Sequence, residues 1–184
     1  MRLRSALVRL FEYPYETIKD NLPDAASPLW DADDMRSRVF EAHRHTRSIL
    51  FEWLQNTWRP GLPVEVRHHD YAPRALAEPV YACANKLAAH FSGKIVKLML
   101  AELRPGGEIS VHADTAAALT EVHRCHIPLV TSKDIQFYID DIPHYLEPGY
   151  VYEIDNTREH AVANRSPERR VHLICDIMPP ALVR

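Results

Sequence analysis

From Gly93 onward the sequence divides into seven short runs rich in β-branched, aromatic and aliphatic residues: KIVKLMLAEL, EISVHAD, HRCHIPLVT, IQFYI, GYVYEI, HAVAN and RRVHLICDIM. Turn-forming groups separate several of them, at Pro105-Gly106-Gly107, Ser132-Lys133-Asp134, Pro148-Gly149 and Arg165-Ser166-Pro167. Short strands at this spacing point away from alternating βα units and toward a sandwich or barrel. The expected fold is therefore mainly β, a small jelly roll with supporting helices.

The N-terminal half supplies that support. Residues 1–35, broken by Pro14, Pro23 and Pro28, read as an irregular or partly helical lead-in. The run RVFEAHRHTRSILFEW, Arg38 to Trp53, reads as one or two strands. Glu78 to Phe91 is the best helix: Pro79 suits a first turn, and Gly93 is placed to end the helix in a left-handed conformation. Val80, Ala84, Leu87, Ala88 and Phe91 keep helical spacing, so one face should pack on a sheet. The whole chain, 1–184, is expected to be a single domain, with 1–92 supplying N-terminal strands and helices and 93–180 the β core.

Composition excludes several classes. A net charge of -3, with 26% charged and 46% hydrophobic residues, is that of an ordinary globular chain, with no global attraction to nucleic acid or anionic lipid. Cys83, Cys125 and Cys175 are far apart and form no CxxC pair, which argues against a disulfide framework or a zinc knuckle. No run approaches a membrane span, and the N-terminus lacks a continuous apolar signal core because Arg9 and Glu12 interrupt it. A cytoplasmic protein without membrane or nucleic-acid partners is expected.

Metal chemistry is suggested by His112-Ala113-Asp114, at the end of the strand EISVH. Residues two apart in a strand share a face, so an imidazole and a carboxylate can address one ion. A third ligand must come from a distant strand, and His160 is the leading candidate. Two histidines and one carboxylate form the facial triad that leaves positions open on ferrous iron. An HxD triplet alone is weak evidence, since most are surface pairs or turn caps.

The downstream pattern strengthens it. A 2-oxoglutarate site needs a deep cation for the far carboxylate, and arginine's planar fork suits that task. Arg170 opens the last strand after His160, an interval that allows a tight turn and a return into the same barrel. Arg124 and His126 share one face of HRCHIPL, as a ligand-facing pair would.

These residues resemble the aspartyl/asparaginyl β-hydroxylase family of 2-oxoglutarate oxygenases. The likeness runs from about Lys94 to Pro179, through LRPGGEISVHAD, HRCHIPLV, PGYVYEIDNTREHAVANRS and RVHLICDIMP. It implies a double-stranded β-helix of cupin-like form, Fe(II), 2-oxoglutarate as co-substrate, and O2. The family's metal histidines fall on His112 and His160. Its co-substrate residues fall on Arg124, His126 and Arg170. A co-substrate serine of the vertebrate member falls on Ala101, so that hydrogen bond must be replaced or lost. The vertebrate enzyme also lacks the metal carboxylate that Asp114 provides here.

The expected activity is hydroxylation of an amino-acid, peptidyl or similar small polar substrate, with release of succinate and CO2. Arg44, Arg47, His123 and Arg158 are candidates for positive charge near the barrel mouth, which would favour a carboxylate-bearing substrate. Two alternatives are a cupin enzyme that uses a metal without 2-oxoglutarate, and a non-catalytic binding barrel.

Overall fold

A computed structural model describes residues 5–183; the expectations made for residues 1–4 and 184 lie outside them. Two antiparallel sheets face each other in a jelly roll. The larger is built from β1 (Leu7–Glu12), β2 (Thr46–Leu54), β3 (Val66–His68), β4 (Lys94–Leu103), β6 (His123–Val130), β9 (Tyr150–Ile154) and β11 (Arg170–Met178), in the order β1-β9-β6-β11-β4-β2-β3. The smaller holds β5 (Glu108–His112), β7 (Ile135–Ile139), β8 (Ile142–His144) and β10 (His160–Asn164), in the order β5-β10-β7-β8. The mainly β, double-stranded β-helix expectation holds.

Four helices accompany the strands: α1 (Glu16–Asp20), α2 (Met35–Val39), α3 (Arg74–Phe91) and α4 (Ala117–Thr120). The longest, α3, lies on the outer face of the large sheet. Its Val80, Ala84 and Leu87 join Leu98, Leu173 and Cys175 in the main apolar cluster. Every residue of β11 is buried, because the helix covers one face and the small sheet the other. Its odd-numbered residues from Val171 to Ile177 pack beneath the helix. The polar residues Arg170, His172 and Asp176 alternate with them and so point into the roll.

Helix α3 begins at Arg74, after Pro73, so Pro79 lies inside it rather than in its first turn. Ser92, not Gly93, takes the left-handed conformation that ends the helix, at φ 50°. Gly93 answers a different demand: a Cβ there would sit 2.4 Å from the Met178 carbonyl oxygen. In the N-terminal lead-in, β1 forms an edge strand on β9. Strand structure in 38–53 starts only at Thr46. The residues before it fold as α2 and a 3-10 turn, Glu41–His43. Two further strands were not foreseen: β3, and β8, which follows a turn with positive φ at Asp140 and Asp141. Asp-Asp is a less obvious hairpin signal than Asn-Gly.

Candidate active site

Strands β5 and β10 bring two histidines face to face. His112 and His160 are register partners, and their ring centroids lie 4.3 Å apart. Each ring is anchored through Nδ1 on a backbone carbonyl two residues earlier: His112 on Ser110 at 2.8 Å and His160 on Arg158 at 2.9 Å. In the neutral form this makes Nδ1 the donor and leaves Nε2 as the free base, the usual way a ligating imidazole is held. Burial pushes His160 down to about 4, with His112 adding to the effect. His160 is therefore neutral at physiological pH and ready to ligate.

Asp114 lies just past the end of β5, its N–H held by the Asn156 carbonyl at 2.9 Å. Its Oδ2 accepts from Arg124 Nη1 at 2.5 Å and from Asn156 Nδ2 at 2.8 Å. Burial alone would raise this carboxyl, but Arg124, Asn156 and the two histidines hold it well below the usual carboxylate range. It is an ionised carboxylate beside two imidazoles, a donor set that suits ferrous iron. As the side chains stand, no three His, Cys, Asp or Glu groups among the described residues converge closely enough to enclose an ion. The carboxylate is drawn onto Arg124 instead.

That contact changes the picture of Arg124. Its guanidinium grips Asp176 through two bonds, Nε at 2.8 Å and Nη2 at 2.6 Å, besides the one to Asp114. Burial works against its charge, but the two carboxylates more than offset this. Arg124 thus spans the metal-side carboxylate and the opposite sheet, rather than waiting unpaired for a co-substrate. His126 is buried next along the same face, with Nδ1 3.4 Å from His172 Nδ1 and its ring edge-on to Phe137.

Arg170 lies deeper still, 2% exposed. Its Nη2 donates to His172 Nδ1 at 2.8 Å, and its guanidinium lies 5.9 Å from the Phe137 ring centre. No carboxylate forms an ion pair with it among the described residues. Burial, with the nearby Arg36, pushes it down to about 9. Arg170, His126, His160 and Phe137 line one narrow inner cavity of about 40 Å³ together with His112 and Asp114.

The row beside this cavity explains the fate of Ala101. His172, Ala101 and Ser48 are register partners across β11, β4 and β2. The Ser48 hydroxyl and His172 Nε2 are both sealed from solvent without a hydrogen-bond partner among the described residues. Two unanswered polar atoms therefore flank the alanine. Buried polar groups in this state ask for a ligand or a water.

Sequence reasoning misplaced the positive charge at the mouth. Arg44 pairs with Glu41, Arg47 with Glu102 and Asp31, and Arg158 with Asp140 and Asp155. His123 turns outward, bonding Glu153 at 2.7 Å and stacking on Phe91. None of the four is a free cation at the site. The unforeseen cations there are Arg36 on α2 and Lys97 on β4, and the unforeseen imidazole is His43 on the turn after α2. His43 packs edge-on against His112 at 5.1 Å and receives a hydrogen bond from Arg36. Lys97 and Asp176 were visible in principle, as charges on the inward phase of otherwise apolar strands.

A family model described as aspartyl/asparaginyl β-hydroxylase matches residues 32–180. No curated protein matches the sequence. Among experimental structures, the viral collagen prolyl hydroxylase of Paramecium bursaria Chlorella virus-1, in complex with 2-oxoglutarate, aligns at TM-score 0.56 and 10% identity over 95% of this chain and 96% of that one. A Pseudomonas putida prolyl-4-hydroxylase aligns at TM-score 0.51 and 13% identity over 96% and 94%. An oxidoreductase of the 2-oxoglutarate–Fe(II) oxygenase family from Burkholderia pseudomallei aligns at TM-score 0.53 and 11% identity, over 72% of this chain and 66% of that one. At such identities these three share the fold. Because the family model covers most of the sequence, including both strands that carry the paired histidines, the chain belongs to the aspartyl/asparaginyl β-hydroxylase family.

Proposed function

We propose that the protein is an Fe(II)- and 2-oxoglutarate-dependent dioxygenase that hydroxylates an amino-acid, peptidyl or similar small polar substrate and releases succinate and CO2. The observation that carries this reading is Arg170. A buried guanidinium without a carboxylate partner is costly, and this one lies in the same cavity as His112 and His160. A dicarboxylate co-substrate answers both needs, with one end at the metal and the other on the arginine. A cupin enzyme working without 2-oxoglutarate would have no use for that cation.

His112, Asp114 and His160 would hold the metal. Bound Fe(II) would supply activation of O2, coupled to oxidative decarboxylation of 2-oxoglutarate. The chain's own contributions follow from the geometry. The Ser110 and Arg158 carbonyls fix the tautomer and orientation of both imidazoles. Asp176 holds Arg124 in place, and Arg124 keeps Asp114 ionised. Arg170 takes the far carboxylate of the co-substrate, with His126 beside it. Ser48 and His172 are the candidates to replace the hydrogen bond that Ala101 cannot make. The apolar walls Ile109, Phe137 and Val162 keep bulk water from this end of the cavity.

The test is succinate formation by the purified protein with Fe(II), O2 and 2-oxoglutarate. Turnover that requires 2-oxoglutarate supports the reading. Metal-dependent turnover indifferent to 2-oxoglutarate moves the protein to the other cupin enzymes.

A further inference from the structure

Outside the paired histidines lies a second cavity, of about 400 Å³. It shares Arg36, His43, His112, Asp114 and Arg124 with the inner cavity as a common wall. A molecule placed here would meet His112 and Asp114, whereas Arg170 lines only the inner cavity. Its volume lies in the range of small-molecule sites.

The charges of this cavity do not balance. Arg124 is answered by Asp114 and Asp176. Glu41 lies on the wall, but its carboxylate pairs with Arg44 in solvent. Lys97 is 4% exposed and forms no hydrogen bond or ion pair among the described residues. Its ammonium rests 4.0 Å from the centre of the Trp53 ring. Arg36 donates to the neutral His43, while its Nη1 is sealed without a partner. Three largely buried cations, Arg36, Lys97 and Arg124, thus share two largely buried carboxylates, Asp114 and Asp176, and both of these are bonded to Arg124. Burial pushes Lys97 down to about 7, with Asp176 and Asp114 working against that shift and Arg124 and Arg36 adding to it.

Much of the rest of the wall is apolar, formed by Val39, Phe40, Trp53, Met99 and Leu119, with Asn56 and Thr115 as its remaining polar side chains. Val39 and Phe40 are also large hydrophobic residues left exposed, at 63% and 37%, on the segment that roofs the cavity. Apolar side chains at a cavity mouth, beside unpaired cations, describe a ligand with an apolar body and an acidic head.

We propose that the outer cavity binds a free, small carboxylate with an apolar body as the substrate, its acid group meeting Lys97 and Arg36 and its body lying against Trp53, Met99 and Phe40. This rests on the dioxygenase reading for the word substrate, but not for the binding. A buried ammonium paired with a carboxylate gains an attraction between opposite charges, besides the hydrogen bond, that a neutral amide cannot give. The cavity therefore selects for charge at one end and tolerates variation at the other.

The probe pair is 4-phenylbutyrate and 4-phenylbutyramide, which differ only at the head group. Calorimetric titration is run on the metal-free protein and, without oxygen, on protein loaded with Mn(II) and 2-oxoglutarate. The expected result is a preference for the acid of about tenfold or more, equivalent to about 1.4 kcal/mol. Lys97→Met should abolish that preference, and Arg36→Gln should reduce it. Lys97→Met removes a buried, unpaired charge, so circular dichroism and the melting temperature should show a folded protein. Equal affinity for acid and amide, an undiminished preference in folded Lys97→Met, or binding of neither probe overturns the inference. Displacement of the acid by a capped peptide without free carboxylates, at equal concentration, would also overturn it, in favour of a polypeptide substrate. If Mn(II) and 2-oxoglutarate fail to bind while the metal-free protein keeps the acid preference, the dioxygenase reading falls and the carboxylate pocket stands.

Discussion

Arg170 donates to His172 Nδ1 at 2.8 Å, so the deepest cation of the barrel is held by a neutral imidazole instead of a carboxylate. Burial and Arg170 keep His172 well below its ordinary value, so the ring remains an acceptor. The guanidinium keeps its full charge for an incoming anion. Arg170→Ala is expected to raise the 2-oxoglutarate concentration needed for half-maximal turnover by about 100-fold, the cost of about 3 kcal/mol for a buried charge-assisted bond. Mn(II) binding, followed by electron paramagnetic resonance, should stay within about threefold, because Arg170 touches none of the candidate ligands. An unchanged 2-oxoglutarate titration would remove Arg170 from the co-substrate site.

His112→Ala and His160→Ala should each abolish detectable Fe(II) binding, since two ligands cannot replace a facial triad. Asp114→Gly separates two roles of the carboxylate. It is both a ligand candidate and one of Arg124's two counter-charges. Loss of metal affinity by tenfold or more, with the fold retained, assigns it to the ion. Unchanged affinity with a lower melting temperature would leave it a partner of Arg124 alone.

Ser48→Ala tests the row across Ala101. The hydroxyl is buried and has no hydrogen-bond partner among the described residues, so its removal should leave stability unchanged or slightly higher. If it bonds the co-substrate, the same substitution weakens 2-oxoglutarate binding by about fivefold, for a neutral hydrogen bond of about 1 kcal/mol. The two readouts have opposite signs. Loss of stability without loss of affinity would make Ser48 a packing residue.

The β core was legible because its strands are buried on alternate faces by different partners. In β6, Cys125 and Ile127 go under α3 while Arg124 and His126 enter the roll, as period two requires. The expected approach of His160 to His112 from a distant strand is matched by their register pairing across β5 and β10. What was lost depended on tertiary choice. Arg124 was read as a co-substrate residue because a sequence does not show Asp176 arriving beside it from 52 residues away. The strand reading began at Arg38, yet the segment from Arg36 to His43 contains one β-branched residue, Val39. It folds as two short helical turns that carry Arg36 and His43 over the site. Exposure misled in the other direction: Arg44 and Arg158 look like free charges until their acidic neighbours are placed.

Acid stability depends on the same interior. His126, His160 and His172 are buried, and burial is the first cause of their lowered values, aided at His126 and His172 by Arg170. Each is held neutral in the fold but titrates near 6.5 once unfolded. Between those values the unfolded chain binds more protons than the folded one, so stability falls as pH falls. The loss begins near pH 6.5 and continues down to about 4 for His160, and further for the other two. Each histidine contributes up to about 1.4 kcal/mol per pH unit. Urea unfolding of the metal-free protein should show a midpoint that drops steeply from pH 6.5 to 5. In His160→Gln, which cannot take up that proton, the slope should be shallower by close to one proton. A midpoint flat across this range would mean that the three imidazoles are not held neutral, and with that the ligand-ready state assigned to His160 would fail.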